Sequence, residues 1–181
     1  MTQPNYSDAQ ASGLNKEAIA ALAKQMANHA EYAFGSDLEP VVERMGGKIQ
    51  YMDLYGVGAN GTSDSGSIKI DEFRKFEITL AHHTGTLRDR FTIAHELGHY
   101  VLHYLYPTQV QGKTLGKVIA QRYGSGLEET EANLFAACFL MPEDEYRKQF
   151  ELLAGSHTDL SEKFGVSTRA SRLRASNLNL G

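Results

Sequence analysis

The sequence predicts a helix-rich α+β fold with a small, mainly antiparallel sheet, and three observations predict it. Apolar residues recur at helical spacing over much of the chain, as at Leu14, Ile19, Leu22, Met26 and Ala30. Between residues 48 and 80 the period shortens to two, so that Ile49 and Tyr51 point one way and Gln50 and Met52 the other. The third is FTIAHELGHYVLH, residues 91–103, in which His95, Glu96 and His99 interrupt an otherwise apolar helix.

Bulk composition narrows the class before any motif is weighed. With 181 residues, 41% hydrophobic and 22% charged, the chain can build one sizeable core and would be crowded as two full domains. Its 18 Lys and Arg against 22 Asp and Glu, a formal net charge of -4, exclude a general basic field for non-specific phosphate binding. The single cysteine, Cys138, excludes an intramolecular disulfide and a metal site built from several cysteines, and it fits a reducing compartment. MTQPNYSDAQ has no basic stretch followed by an apolar core, and no run approaches the ~18 apolar residues that span a bilayer, so a cytoplasmic location is expected.

Taken in order, residues 1–13 are polar and expected to be flexible, with residues 14–181 forming a single domain. The segment 14–34 reads as a helix capped by Asn15 or Ser12, and SDLEPVVERMG as a short second one opened by Ser36 or Asp37, with Pro40 tolerable near its first turn. A strand follows from Lys48, then the loop GVGANGTSDSG. Residues 67–71 and 75–80 are too close for a crossover helix and therefore form an antiparallel hairpin, expected to border the cleft as an edge for an extended peptide. The loop HHTGTLRDR leads into the apolar helix 91–106, stopped near Pro107, and residues 107–126 are weakly patterned. A second core helix spans 127–141, and Pro142 opens a third with Glu143 and Asp144 at its positive end. Two short helices around Gly165, the latter capped by Ser167, make residues 157–181 a C-terminal helical cap.

The chemistry concentrates on the two core helices. Residues four apart share a helical face, so His95 and His99 can present imidazole nitrogens to one zinc ion at about 2.0–2.1 Å. Glu96 sits beside that site and cannot readily ligate from its position, but it can take a proton from an attacking water and pass it to a leaving amine. Gly98 weakens the helix by ~1 kcal/mol and permits close approach of another backbone. A hydrolytic centre needs a third protein ligand and an exchangeable position. Glu129 is preferred because it shares a face with Asn133, Ala136, Ala137 and Leu140, and Asn133 can then orient a histidine N–H. Glu131 is the nearest competitor and Glu128 a weaker one. His103 lies a further turn on, where angular drift disfavours ligation and leaves it as a partner of the site or a satisfied core residue. His82 and His83, with Tyr100, Tyr104, Tyr106 and Tyr123, are candidates for polarising a substrate carbonyl. Arg88 and Arg90 are equally placed for substrate or structural pairing, and Cys138 reads as buried packing.

RDRFTIAHELGHYVLH together with EETEANLFAACFLMPEDEY resembles the ImmA/IrrE family of metallopeptidases, and the resemblance runs from SDLEPVVERMGGKI to FGVSTRASRLR. It implies a metalloprotease-like core, Zn2+ held by His95, His99 and a glutamate preceding the Ala132–Asn133 pair, matched to Glu129, and a catalytic role for Glu96. It also implies a substrate class, helix-turn-helix transcriptional repressors whose cleavage relieves repression in stress or phage responses. With no recognisable repressor domain in this chain, the target is expected to be a separate protein. Two other classes compete. A metal-binding regulator would sequester a repressor without hydrolysis, a reading that leaves Glu96 without a purpose. Alternatively, Lys163, Arg169, Arg172 and Arg174 around FGVSTRAS would bind DNA. A cap packed by Leu160, Phe164, Val166 and Leu173 is favoured, so direct nucleic-acid binding is not expected.

Overall fold

The computed structural model describes residues 5–52, 66–81, 85–121 and 126–180. Among these residues two layers face each other: a five-stranded mixed sheet, and a helical layer in which α3 (Thr86–Tyr100) packs on α4 (Leu127–Leu140). The expected helix-rich α+β fold is present, with α1 (Lys16–His29) covering α4 and α2 (Glu39–Arg44) leading into the sheet. Asn15 caps α1 by accepting from Ala18 N–H at 2.9 Å, and Ile19, Ala23 and Ala27 form its buried stripe.

The sheet is larger and less antiparallel than the sequence suggests. Its order is β1-β5-β3-β4-β2, built from β1 (Ser7–Asp8), β2 (Gly47–Tyr51), β3 (Gly66–Glu72), β4 (Lys75–Leu80) and β5 (Val118–Gln121). β3 and β4 form the expected hairpin, with Ile68 opposite Ile78 and Ile70 opposite Phe76 on its buried face. However, β2 runs parallel to β4, β1 runs parallel to β5, and β5 runs antiparallel to β3. Strand β5 lies in the stretch that carries no clear period, because four residues are too few to display an alternation. The same topology overturns the expected peptide-binding edge. β3 is paired with β4 on one side and β5 on the other, and β4 is paired with β2, so both hairpin strands are interior.

The face of the hairpin rests on α3. Phe76 stacks on Tyr100 with ring centroids 4.1 Å apart, and the Tyr100 hydroxyl accepts from Arg74 N–H at 2.9 Å in the turn, where Arg74 has φ 58°. Helix α3 starts at Thr86, earlier than expected, after Gly85 at φ 83°, and Asp89 favours its positive end. Beyond Tyr100 the chain does not stop at Pro107 but continues as a π-helix over Val101–Val110. The wider turn accommodates the proline ring, and the Thr108 hydroxyl donates to the Tyr104 carbonyl at 2.7 Å.

α3 and α4 approach closely because Gly98 has no side chain. A Cβ there would lie 3.1 Å from both Cα and O of Ala132 and 3.2 Å from Cβ of Phe135. The chain ends in α5 (Glu143–Leu152), α6 (His157–Phe164) and α7 (Thr168–Asn177), with Ser167 capping α7 through Ala170 N–H at 3.1 Å. Leu160, Phe164 and Val166 are buried as expected of a packed cap, but Leu173 is 61% exposed and belongs to no core. Arg174, placed by sequence in a basic cluster, is buried and donates from Nε to the Met141 carbonyl at 3.0 Å, tying α7 to the end of α4. Among the described residues no helix is long and apolar enough to cross a membrane.

Candidate metal centre

His95 and His99 lie one turn apart on α3, on the side that faces α4, and both are buried. Their Nε2 atoms are 3.1 Å from each other. Glu129, in the first turn of α4, completes a triangle: Oε1 lies 3.1 Å from His99 Nε2, and Oε2 lies 3.3 Å from His95 Nε2. A tetrahedral ion with ligands at about 2.0–2.1 Å holds them about 3.3 Å apart, so these separations suit one ion in the middle. Two imidazoles and one carboxylate suit a borderline transition metal; calcium and magnesium prefer all-oxygen sites. The cluster can therefore hold a metal ion.

The outer nitrogens of the two histidines decide which inner nitrogens are free to ligate. His95 Nδ1 lies 2.9 Å from Asn133 Oδ1, a carbonyl acceptor one turn beyond Glu129; the proton sits on Nδ1 and leaves Nε2 with its lone pair. His99 Nδ1 lies 2.9 Å from His103 Nδ1, and His103 Nε2 lies 2.9 Å from Glu131 Oε2. Burial, reinforced by the neighbouring His99, lowers the pKa of His103 to about 4, so that it is neutral near pH 7. For Glu129, burial opposes ionisation, but the adjacent imidazoles outweigh it and hold the carboxyl well below the usual range. Glu131 is likewise depressed: burial raises it, whereas the Ser12 backbone N–H, His103, the Ser12 hydroxyl and the Gly13 N–H lower it further.

Glu96 is 1% exposed and lies on the sheet side of this cluster, where its Oε1 comes against the start of β3; a Cβ on Gly66 would approach it to 3.3 Å. The structure thus brings His95, His99 and Glu129 together, with Glu96 buried next to His95 in the chain. Of the two competing carboxylates, neither Glu128 nor Glu131 joins the cluster, and Glu131 turns toward His103 instead. Tyr100 is engaged in the hairpin turn, and Arg90 binds the Gly165 carbonyl at 2.9 Å and the Ser36 carbonyl at 2.5 Å, which gives it a structural role. His82, His83 and Tyr123 lie outside the described residues. The contact of Ser12 and Gly13 with Glu131 escapes sequence reasoning, since 118 to 119 positions separate the partners and neither side carries a motif.

The family model Peptidase_M78, described as IrrE N-terminal-like domain, matches residues 42–176. No curated protein matches the chain. Among solved structures, a Mycobacterium tuberculosis transcriptional regulator aligns at 18% identity with a TM-score of 0.60, over 88% of this chain and 46% of its own. That identity shows a shared fold alone, and this chain spans less than half of the regulator's length.

Proposed function

Because the chain belongs to the family of IrrE N-terminal-like metallopeptidase domains, we propose that it is a zinc-dependent endopeptidase that cuts a helix-turn-helix transcriptional repressor and so relieves repression. The observation that carries the catalytic part is the convergence of His95, His99 and Glu129 donor atoms, 3.1 to 3.3 Å apart, beside a buried Glu96. Zinc, when bound, supplies a Lewis acid and makes water a competent nucleophile at neutral pH. His95, His99 and Glu129 would hold it through two imidazole nitrogens and a carboxylate, a donor set suited to a hydrolytic site. Asn133 and His103 fix the ring orientations by occupying the outer nitrogens. Glu96, adjacent in sequence to the first ligand and not among the three converging donors, accepts the proton of the attacking water and delivers it to the leaving amine.

The substrate class rests on the family and on a transcriptional regulator that shares the fold. A cleavable bond must lie in an exposed, extended linker, because a folded helix presents neither free carbonyls nor backbone length. Residues 14–181 act as one cytoplasmic domain, with residues 157–181 as its packed cap rather than a DNA reader. Burial of Arg174 supports that assignment, since it removes one of the four cations available for phosphate. The test compares the zinc-loaded protein with its Glu96→Gln variant on a neighbouring or co-purifying repressor, reading fragment masses. Cleavage by the former alone is expected. Equal cleavage by both rejects the role of Glu96, and stable binding without cleavage favours sequestration.

A further inference from the structure

Residues 5–13 reach the metal centre by an indirect route. Most of their surface is exposed, and they are held by short polar contacts: the two-residue pairing of β1 with β5, a hydrogen bond from the Tyr6 hydroxyl to Asp71 at 2.8 Å, and the grip of Ser12 and Gly13 on Glu131. A cavity of about 320 Å³ separates this strap from the π-helix, with Ser7, Asp8 and Ser12 on one wall and His103, Tyr106 and Pro107 on the other. So little apolar burial makes docking of the strap a low-stability contact that opens more readily than the core.

The grip itself is strong and directional. Ser12 N–H and the Ser12 hydroxyl donate to Glu131 Oε2 at 2.8 and 2.9 Å, and Gly13 N–H donates to Oε1 at 2.8 Å. A carboxylate so surrounded acts only as an acceptor, and the remaining partner of Oε2 is His103 Nε2 at 2.9 Å, which must therefore carry the proton. With its proton on Nε2, His103 turns Nδ1 toward His99 as an acceptor. His99 Nδ1, 2.9 Å away, supplies the proton to that contact and keeps its own Nε2 free for a metal. In the opposite tautomer, a protonated His99 Nε2 would point at the cluster and block it. The placement of one proton on a metal-facing histidine thus runs through Glu131, whose carboxylate is held by Ser12 and Gly13, more than 80 positions upstream of that histidine.

We infer that Glu131 and His103 are positioning residues that couple docking of the strap at Ser12 and Gly13 to the metal-binding competence of His99. Metal binding and strap docking favour each other, because two sites that bias one arrangement do so reciprocally. This rests on reading His95, His99 and Glu129 as the metal centre. Residues 12 and 13 lie outside the 42–176 range matched by the family model, so the coupling is read from this chain alone.

The test uses the full chain and Zn2+ alone, with two readouts that need no substrate: zinc affinity by chelator competition, and amide hydrogen exchange at Ser12 and Gly13 with and without zinc. Zinc is expected to slow exchange at both amides. Glu131→Gln and His103→Phe should each weaken zinc by about 10- to 100-fold and abolish that slowing. Because the two act in series, the double variant should bind zinc no more weakly than the worse single one. Ser12→Pro, on the exposed strap, removes two donors without touching the core and should weaken zinc by several fold, which keeps the test valid if a buried variant fails to fold. Zinc-dependent slowing that persists in His103→Phe, or fully additive losses in the double variant, would overturn the coupling. Unchanged zinc affinity in His99→Ala would instead overturn the metal centre on which it rests.

Discussion

Replacing Gly98 with alanine should separate the stability of the fold from the competence of its metal centre. The added Cβ would sit 3.1 Å from Cα and O of Ala132 and 3.2 Å from Cβ of Phe135, where carbon atoms prefer about 3.5–4.0 Å. Two of the opposing atoms are backbone, so no side-chain rotation relieves the contact and α4 must retreat by roughly 0.5 Å. For the fold, that overpacking costs about 1–3 kcal/mol, offset by the ~1 kcal/mol by which alanine exceeds glycine in a helix, for a net loss of about 0–2 kcal/mol. For the site the tolerance is smaller, because ligand distances are held to about 0.2 Å. Ala132 lies between Glu131 and Asn133 and one turn from Glu129, so a retreat of α4 carries all three polar groups away from α3. Zinc affinity should fall by about 10- to 100-fold, or about 1.4–2.7 kcal/mol. Urea denaturation of the chelated protein reads the first quantity and chelator competition the second. Zinc affinity within twofold of the parent would show that the approach of the two helices does not set the geometry of the cluster.

Other outcomes follow from the same contacts. His103 has its pKa lowered from 6.5 to about 4, so between those values the unfolded chain holds a proton that the folded one lacks. Metal-free stability should therefore be full above about pH 6.5 and decline as pH falls toward 4, by roughly 3 kcal/mol from this residue, with the depressed Glu131 adding a loss of the same sign at the acid end. Urea midpoints between pH 7 and 4 should show that slope, and His103→Phe should flatten it. Stripping the metal should lower the melting temperature in proportion to zinc occupancy, with a loss of about 2.7 kcal/mol expected when free zinc had stood 100-fold above its dissociation constant; an unchanged melting curve would argue against metal at this site. Arg174→Leu leaves the Met141 carbonyl without its buried donor and should cost about 1–3 kcal/mol in thermal or chemical unfolding, without altering retention on nucleic acid. A change in that retention would reopen the DNA-binding reading.

What the sequence determined by itself is what short-range geometry controls. His95 and His99 share a face because four residues make about one helical turn, and the caps at Asn15 and Ser167 act within three residues of themselves. The β3–β4 hairpin was legible because its strands alternate and too few residues join them for any other connection. The two linked motifs of α3 and α4 were legible as a family resemblance for the same local reason, and residues 42–176 match that family. Strand orientation and order were not legible. A two-residue period marks a strand without naming its neighbour, so the parallel pairings and the burial of the hairpin between β5 and β2 emerged only in the folded sheet. Glu129 and Glu131 look alike in sequence, two positions apart on one helix. Tertiary packing turns one toward the inner nitrogens of His95 and His99 and the other toward His103, Ser12 and Gly13. That division depends on how closely α4 lies on α3 and on a strap more than 110 residues away, and contacts at such separation leave no periodic signal in a single chain.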